Sequence, residues 1–277
     1  MQLNRQLVTV TIIASVLALG GCNGTSHDVS KVLTDSCADD QLASNAVLYF
    51  GPSNHIGPGS IWARLGVNGG YQPQWRVEDL NLNYSKVVEP GKSFQCDFSK
   101  NSKFTANAGL SVLSMATNAS AEVKSDFARA KAIKVSASQV AWDMVVAGPY
   151  LVQLKAISDP SIKSDVFGKN RLVVRRALRL SGYKATLEFD TKINPEIKAR
   201  YDGVMLGPKA VGEVGAQFSA KWTSDDRLEL TAADSVYVAG EFAELINGEF
   251  VSTKGEETTI VVDLGIKMIK PYTSPHQ

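Results

Sequence analysis

The side chains able to do chemistry are few, and their spacing argues against most reactions. The 277-residue chain has three histidines, His27, His55 and His276, and three cysteines, Cys22, Cys37 and Cys96. A zinc site needs three or four ligands at workable spacing, and neither H-E-x-x-H nor C-x-x-C occurs. A Ser-His-Asp hydrolase would have to use His55, yet there is no G-x-S-x-G to present a nucleophile. The glycine-rich runs Gly57-Pro58-Gly59-Ser60 and Gly66-Val67-Asn68-Gly69-Gly70 do not continue into G-K-[ST] or open a strand-helix-strand unit, so they do not read as phosphate cradles. The acidic neighbours Asp39-Asp40, Asp225-Asp226 and Glu256-Glu257 lack calcium-loop spacing and read as solvated turns. No catalytic residue, metal ligand or cofactor site is expected.

The strongest chemical signal is Cys22. Met1 to Gln6 is polar with one positive charge, Arg5, and Leu7 to Leu19 is a charge-free apolar run too short to span a bilayer, which takes about 20 residues. This is the layout of a secretory signal peptide. The run ends in Leu19-Gly20-Gly21-Cys22, which resembles the lipobox of bacterial lipoproteins. The resemblance covers the signal and its cleavage site only. It implies that residues 1–21 are removed, that Cys22 carries a diacylglycerol and an amino-terminal acyl chain such as palmitate, and that the protein is attached to a membrane without crossing it. Asn23 follows the cysteine where an Asp favours inner-membrane retention, so in a Gram-negative cell the expected address is the outer membrane, facing the periplasm or the surface.

With Cys22 lipidated, Cys37 and Cys96 form an even pair in an oxidising compartment, and a disulfide between them is expected. Residues 22–45 read as a polar tether and residues 46–277 as one domain. Removal of the signal balances the 29 Lys and Arg against the 28 Asp and Glu, because Arg5 is its one charge. A neutral chain without basic blocks is not expected to bind nucleic acid. The expected partners are the membrane, through Cys22, and another envelope protein or a small ligand.

These residues must be positioned by strands. Ala46 to Phe50, Ser93 to Phe98, Ala119 to Phe127, Lys131 to Ala137, Arg171 to Leu180, Tyr183 to Ile193, Glu213 to Trp222, Arg227 to Thr231, Ser235 to Val238 and Thr258 to Lys270 read as strands from short apolar runs or alternation. Ser181-Gly182 reads as a hairpin turn. Helices are expected over Phe104 to Thr117, after Pro149 until Asp159-Pro160 stops the chain, and from Asn194 to Leu206. The fold class is α+β, a largely antiparallel sheet covered by a few short helices. Two stretches, 100–195 and 196–272, share a helix-strand-strand-helix-strand order and the tripeptide Val-Ala-Gly at 146–148 and 238–240, which suggests an internal duplication.

The Gly- and Pro-rich stretch from Gly51 to Pro73 holds His55, Trp62 and Tyr71, with Trp75 just beyond. Aromatic residues in such a loop either plug it onto the domain or stand out to meet a ligand. His55, Trp62, Tyr71 and Trp75 are therefore the candidate ligand residues. The leading expectation is a non-catalytic, lipid-anchored envelope protein with a binding or scaffold role. The alternatives are an envelope hydrolase acting on peptidoglycan, polysaccharide or peptide through His55 and carboxylates not identifiable in sequence, and a membrane-remodelling protein built on the small-residue alternation of Ala106 to Ala137 and Val211 to Ala220.

Overall fold

The computed structural model describes residues 47–54, 56–64, 71–98, 130–189, 192–193, 195–206, 217–246 and 249–252, together with 33, 35–37 and 39. Cys22, most of the tether, His55, Phe104 to Thr117, Ala119 to Phe127, Thr258 to Lys270 and His276 lie outside these residues. The architecture is mostly antiparallel sheet with few helices, as the alternating sequence implies.

Fourteen strands and four helices are described: β1 Val47–Ser53, β2 Ile61–Arg64, β3 Tyr71–Trp75, α1 Tyr84–Val87, β4 Val88–Glu89, β5 Ser93–Phe94, β6 Ala130–Ser136, β7 Gln139–Val145, α2 Ala147–Lys155, α3 Pro160–Val166, β8 Arg171–Ser181, β9 Lys184–Phe189, α4 Pro195–Tyr201, β10 Met205–Leu206, β11 Phe218–Ser224, β12 Arg227–Ala232, β13 Val236–Ile246 and β14 Glu249–Ser252. They form a nine-stranded and a five-stranded antiparallel sheet. In the large sheet β8 and β13 are central. β1 and β14 flank β13, β2 and β7 share the other side of β8, β3 follows β2, and β4 and β5 lie on β7. The small sheet runs β10-β11-β12-β9-β6.

Three chain segments run through both sheets. β6 continues into β7, β8 into β9, and β12 into β13, each across two or three residues. The ladder between the first two segments keeps its register through the junction, with Ser136 opposite Lys184 and Gln139 opposite Ser181. Between the second and third, Lys184 opposes Thr231 and Leu180 opposes Val236, a slip of one residue. The two sheets thus share three long strand segments, interrupted along a line at 137–138, 182–183 and 233–235.

This corrects the hairpin expected at Ser181-Gly182. β8 and β9 do not pair with each other, and Gly182, at φ +60°, redirects one strand from the large sheet into the small one. A Cβ on Gly182 would lie 2.6 Å from Ser138 Oγ on the neighbouring segment. Serines tie the junction across the strands: Ser138 donates from its N–H and its hydroxyl to the Ser181 carbonyl at 2.8 and 2.9 Å, and the Ser181 and Ser235 hydroxyls are 2.8 Å apart.

Other departures have local causes. Asp159-Pro160 does not only stop a helix: Asp159 caps α3, accepting from the Ser161 and Ile162 N–H groups, with Pro160 in the first turn where its missing donor costs nothing. α4 ends at Tyr201 rather than Leu206, because 203–206 turn to pair with β11. β1 continues past Gly51-Pro52, which an edge strand tolerates, and its ladder with β13 is irregular between Tyr49 and Ser53. The shared Val-Ala-Gly takes two conformations, opening α2 at 146–148 but lying within β13 at 238–240.

The core has three parts. The largest draws Val140, Leu178, Leu180 and Val238 from the large sheet and Val135, Leu187, Phe218, Leu228 and Leu230 from the small one, so both sheets turn a face to it. Full burial of one such leucine contributes about 1.5–3 kcal/mol. A second lies under the helices, where Val87, Tyr150, Leu154 and Val166 meet Ile61, Val145 and Val173. The third comprises Phe50, Ile56, Trp62, Leu172, Val174 and Phe242.

The expected disulfide is present. Cys37 and Cys96 are joined, 59 residues apart in sequence, with Cα atoms 4.1 Å apart. Leu33 and Cys37 are buried in the shared core, and Phe94, Cys96 and Phe98 pack against it. The strap is fastened further by Asp97 N–H to the Ser36 carbonyl, 2.7 Å, and by Trp142 Nε1–H to Asp39 Oδ2, 3.0 Å. The end of the tether is therefore part of the core.

Candidate binding cleft and its buried polar network

On the large sheet the register brings three polar side chains from three strands together. Arg179 on β8 lies directly opposite Tyr237 on β13, and Asp143 on β7 lies opposite Ala177, diagonal to Arg179. Asp143 is only 3% exposed. A buried carboxylate is tolerated when its lone pairs are filled. Asp143 accepts from Arg179 Nε at 2.7 Å and Nη2 at 3.3 Å, from the Tyr237 hydroxyl at 2.7 Å and from the Gly91 N–H at 3.1 Å. The last bond needs a glycine, because a Cβ at position 91 would stand 1.8 Å from the Trp142 carbonyl oxygen.

The network continues outward through Tyr84 on α1, whose hydroxyl is 2.8 Å from that of Tyr237. Because Tyr237 gives its proton to Asp143, Tyr84 is the donor in this pair. Burial, together with the neighbouring phenol and the Asp143 carboxylate, raises the Tyr237 pKa strongly and keeps the phenol neutral. Burial also raises Tyr84, against the opposing effect of its bond to Tyr237. Arg179 is held in its charged form chiefly by the bond to Asp143, and it reaches the Ser181 hydroxyl at 3.2 Å, linking the network to the serine junction.

Beside Tyr84 and Tyr237 lies a cleft of about 110 Å³, lined also by Asn54, Pro58, Ser60 and Glu78. Its floor is the former ligand-loop candidate, folded down and pinned. Gly59 N–H donates to the Val174 carbonyl at 2.8 Å, the buried Tyr150 hydroxyl donates to the Gly59 carbonyl at 2.6 Å, and Ser53 and Ser60 hydroxyls accept from the Ile56 and Gly57 N–H groups. A second, shallower groove of about 310 Å³ runs between the turn at 79–82 and the α2–α3 corner, past Leu80, Gln153, Ile157 and Ile162. Neither recess shows a nucleophile beside a base. Among the described residues no three His, Cys, Asp or Glu side chains are placed to share a metal ion.

The candidate ligand residues are not gathered at one place. Trp62 is 0% exposed, packed edge-on against Phe242 at 5.1 Å and tilted against Phe50 at 5.8 Å, so it plugs the core and has no surface to offer a ligand. Trp75 packs on the core under the helices and donates Nε1–H to Asp165 Oδ2 at 2.5 Å. Asp165 pays for partial burial, but the bonds from Trp75 and Arg171 outweigh that and hold its carboxyl below the usual range. Tyr71 sits in β3 opposite Arg64. Asp143, Arg179, Tyr237 and Tyr84 went unnoticed in the sequence. The available signal was a charge inside each apolar run, Asp143 within Val140–Val145 and Arg179 between Leu178 and Leu180, since a buried charge demands a partner.

No protein-family model and no curated protein matches the chain. Among solved structures the chain is similar to a bacterial gasdermin from Bradyrhizobium tropiciagri, at 18% identity over 77% of this chain and 89% of that one, with a TM-score of 0.42. A likeness of that size leaves the function of this chain to be argued from its own residues.

Proposed function

We propose that the protein is a lipid-anchored component of a bacterial cell envelope, held to the membrane through Cys22 and acting by binding rather than catalysis. The observation that carries this reading is the Cys37–Cys96 disulfide at the buried end of the tether. Disulfides persist in exported, oxidising compartments, and this one accounts for two of three cysteines and leaves Cys22, the lipobox cysteine, to be modified. Cys22 and Cys37 are only 15 residues apart, so the domain is held close to the bilayer surface.

The binding role is supported by the two recesses that the described residues form on the strand scaffold. The envelope-hydrolase alternative has less behind it, because the buried carboxylate Asp143 is already engaged by Arg179, Tyr237 and Gly91. The duplication of 100–195 and 196–272 draws support from β6–β7 and β12–β13, which cross from the small sheet to the large one on either side of β8–β9. The test is recovery of the tagged, full-length protein from crosslinked cells. A stoichiometric envelope partner is expected. Recovery alone, together with cleavage of peptidoglycan or a peptide by the purified protein, would replace this reading with the hydrolase.

A further inference from the structure

The cleft beside Tyr84 presents acceptors from Tyr84, Glu78 and Asn54. The Tyr84 proton is committed to Tyr237 and the Tyr237 proton to Asp143, so the Tyr84 oxygen has lone pairs to offer and no hydrogen. Glu78 is exposed at the rim, and among the described residues its carboxylate forms no salt bridge. Arg76, two residues earlier, is turned to Asp79 in a bidentate pair with contacts of 2.8 and 2.5 Å, and Arg179 is neutralised by Asp143. Asn54 also lines the cleft, and its Oδ1 has no donor. Among the described residues the local charge is therefore one unmatched negative, next to the phenols of Tyr84 and Tyr237.

We propose that this cleft binds a primary ammonium group, either a small free amine or the end of a lysine side chain. An ammonium brings three donors and one positive charge, which answers the Tyr84 oxygen, the Glu78 carboxylate and the unmatched charge together. A divalent ion fits poorly, because calcium takes six to eight oxygen ligands and magnesium an octahedral set, while the cleft supplies one carboxylate. The volume of about 110 Å³ admits a head group but not a whole ligand of the size that fills pockets of roughly 300 Å³ and more. The inference does not depend on the lipid anchor, since the cleft belongs to the folded domain.

The test is thermal unfolding of the full-length protein in detergent with methylammonium chloride, with N-acetyl-lysine methylamide, and with tetramethylammonium chloride, all at one ionic strength. Methylammonium at well above its dissociation constant should raise the midpoint by about 2 °C, and tetramethylammonium, which has no N–H donor, should not. A response to methylammonium alone assigns a free amine, and a response to both amines assigns a lysine side chain; either upholds the proposal. Glu78→Gln, at an exposed position, should fold normally and lose the response, and Tyr84→Phe should weaken it at least threefold. An equal response to tetramethylammonium, no response to either amine, or a full response in Glu78→Gln would overturn it.

Discussion

The two sheets share three strand segments and yet cover their paired cations to different degrees. In the small sheet β11 and β12 largely alternate between covered and open residues, and the paired cations stay about half exposed: Lys184 with Glu229 at 3.4 Å, and Lys134 and Arg227 converging at 3.2 Å on Glu188, itself buried. In the large sheet β8 exposes Arg175 but covers most of its length, and Arg179 and Arg176 are only about a quarter and a fifth exposed, paired with Asp143 and with Glu241 beside the Trp142 ring. One strand passes from one regime to the other at Gly182. What separates the two groups of ion pairs is how far the cation is covered.

Removing the strap that crosses this boundary should have the largest effect. The Cys37→Ala, Cys96→Ala double variant opens a loop of 59 residues in sequence separation and should cost about 4 kcal/mol in denaturant unfolding. A cost under about 1 kcal/mol would mean that the strap only decorates the shared core. Next comes the buried carboxylate. Asp143→Ala leaves Arg179 and the Gly91 N–H without their acceptor and should cost about 3 kcal/mol, the lower end for a broken buried pair because Arg179 is partly exposed.

The junction itself should be less sensitive. Gly182→Ala puts a side chain at positive φ and presses on Ser138 Oγ, a flexible neighbour, for a cost of about 1–2 kcal/mol, with Gly182→Asn milder. Equal behaviour of Ala and Asn would show that the left-handed backbone is not what the position demands. Smallest of all is Lys184→Ala, whose exposed pair with Glu229 should contribute less than about 1 kcal/mol and should fade in high salt. A Lys184 effect as large as that of Asp143 would erase the contrast between the sheets.

The same contrast explains what the sequence let through. The apolar-polar alternation of Lys131 to Ala137 and Arg227 to Thr231 is a local sequence pattern, and those strands were legible. The junction at Ser181-Gly182 was not, because Gly after Ser marks a change of direction without saying whether the chain reverses onto itself or carries its ladder into a second sheet. That depends on Ser138 and Ser235, which are 43 and 54 residues away. Trp62 looked like a residue in an open loop because Gly and Pro surround it, and only the tertiary fold shows Phe50 and Phe242 closing over it. The Asp143 network joins residues up to 153 positions apart and has no periodic signature at all. The disulfide was legible because it follows from counting cysteines, not from geometry.

The account rests most on Cys22. Mass spectrometry of the amino-terminal peptide of the protein isolated from its own membranes tests it directly. The account predicts a mature chain that begins at Cys22 and carries a diacylglycerol on sulfur, with Cys37 and Cys96 recovered as a linked pair. A chain still bearing residues 1–21, or an unmodified Cys22 thiol, would contradict it.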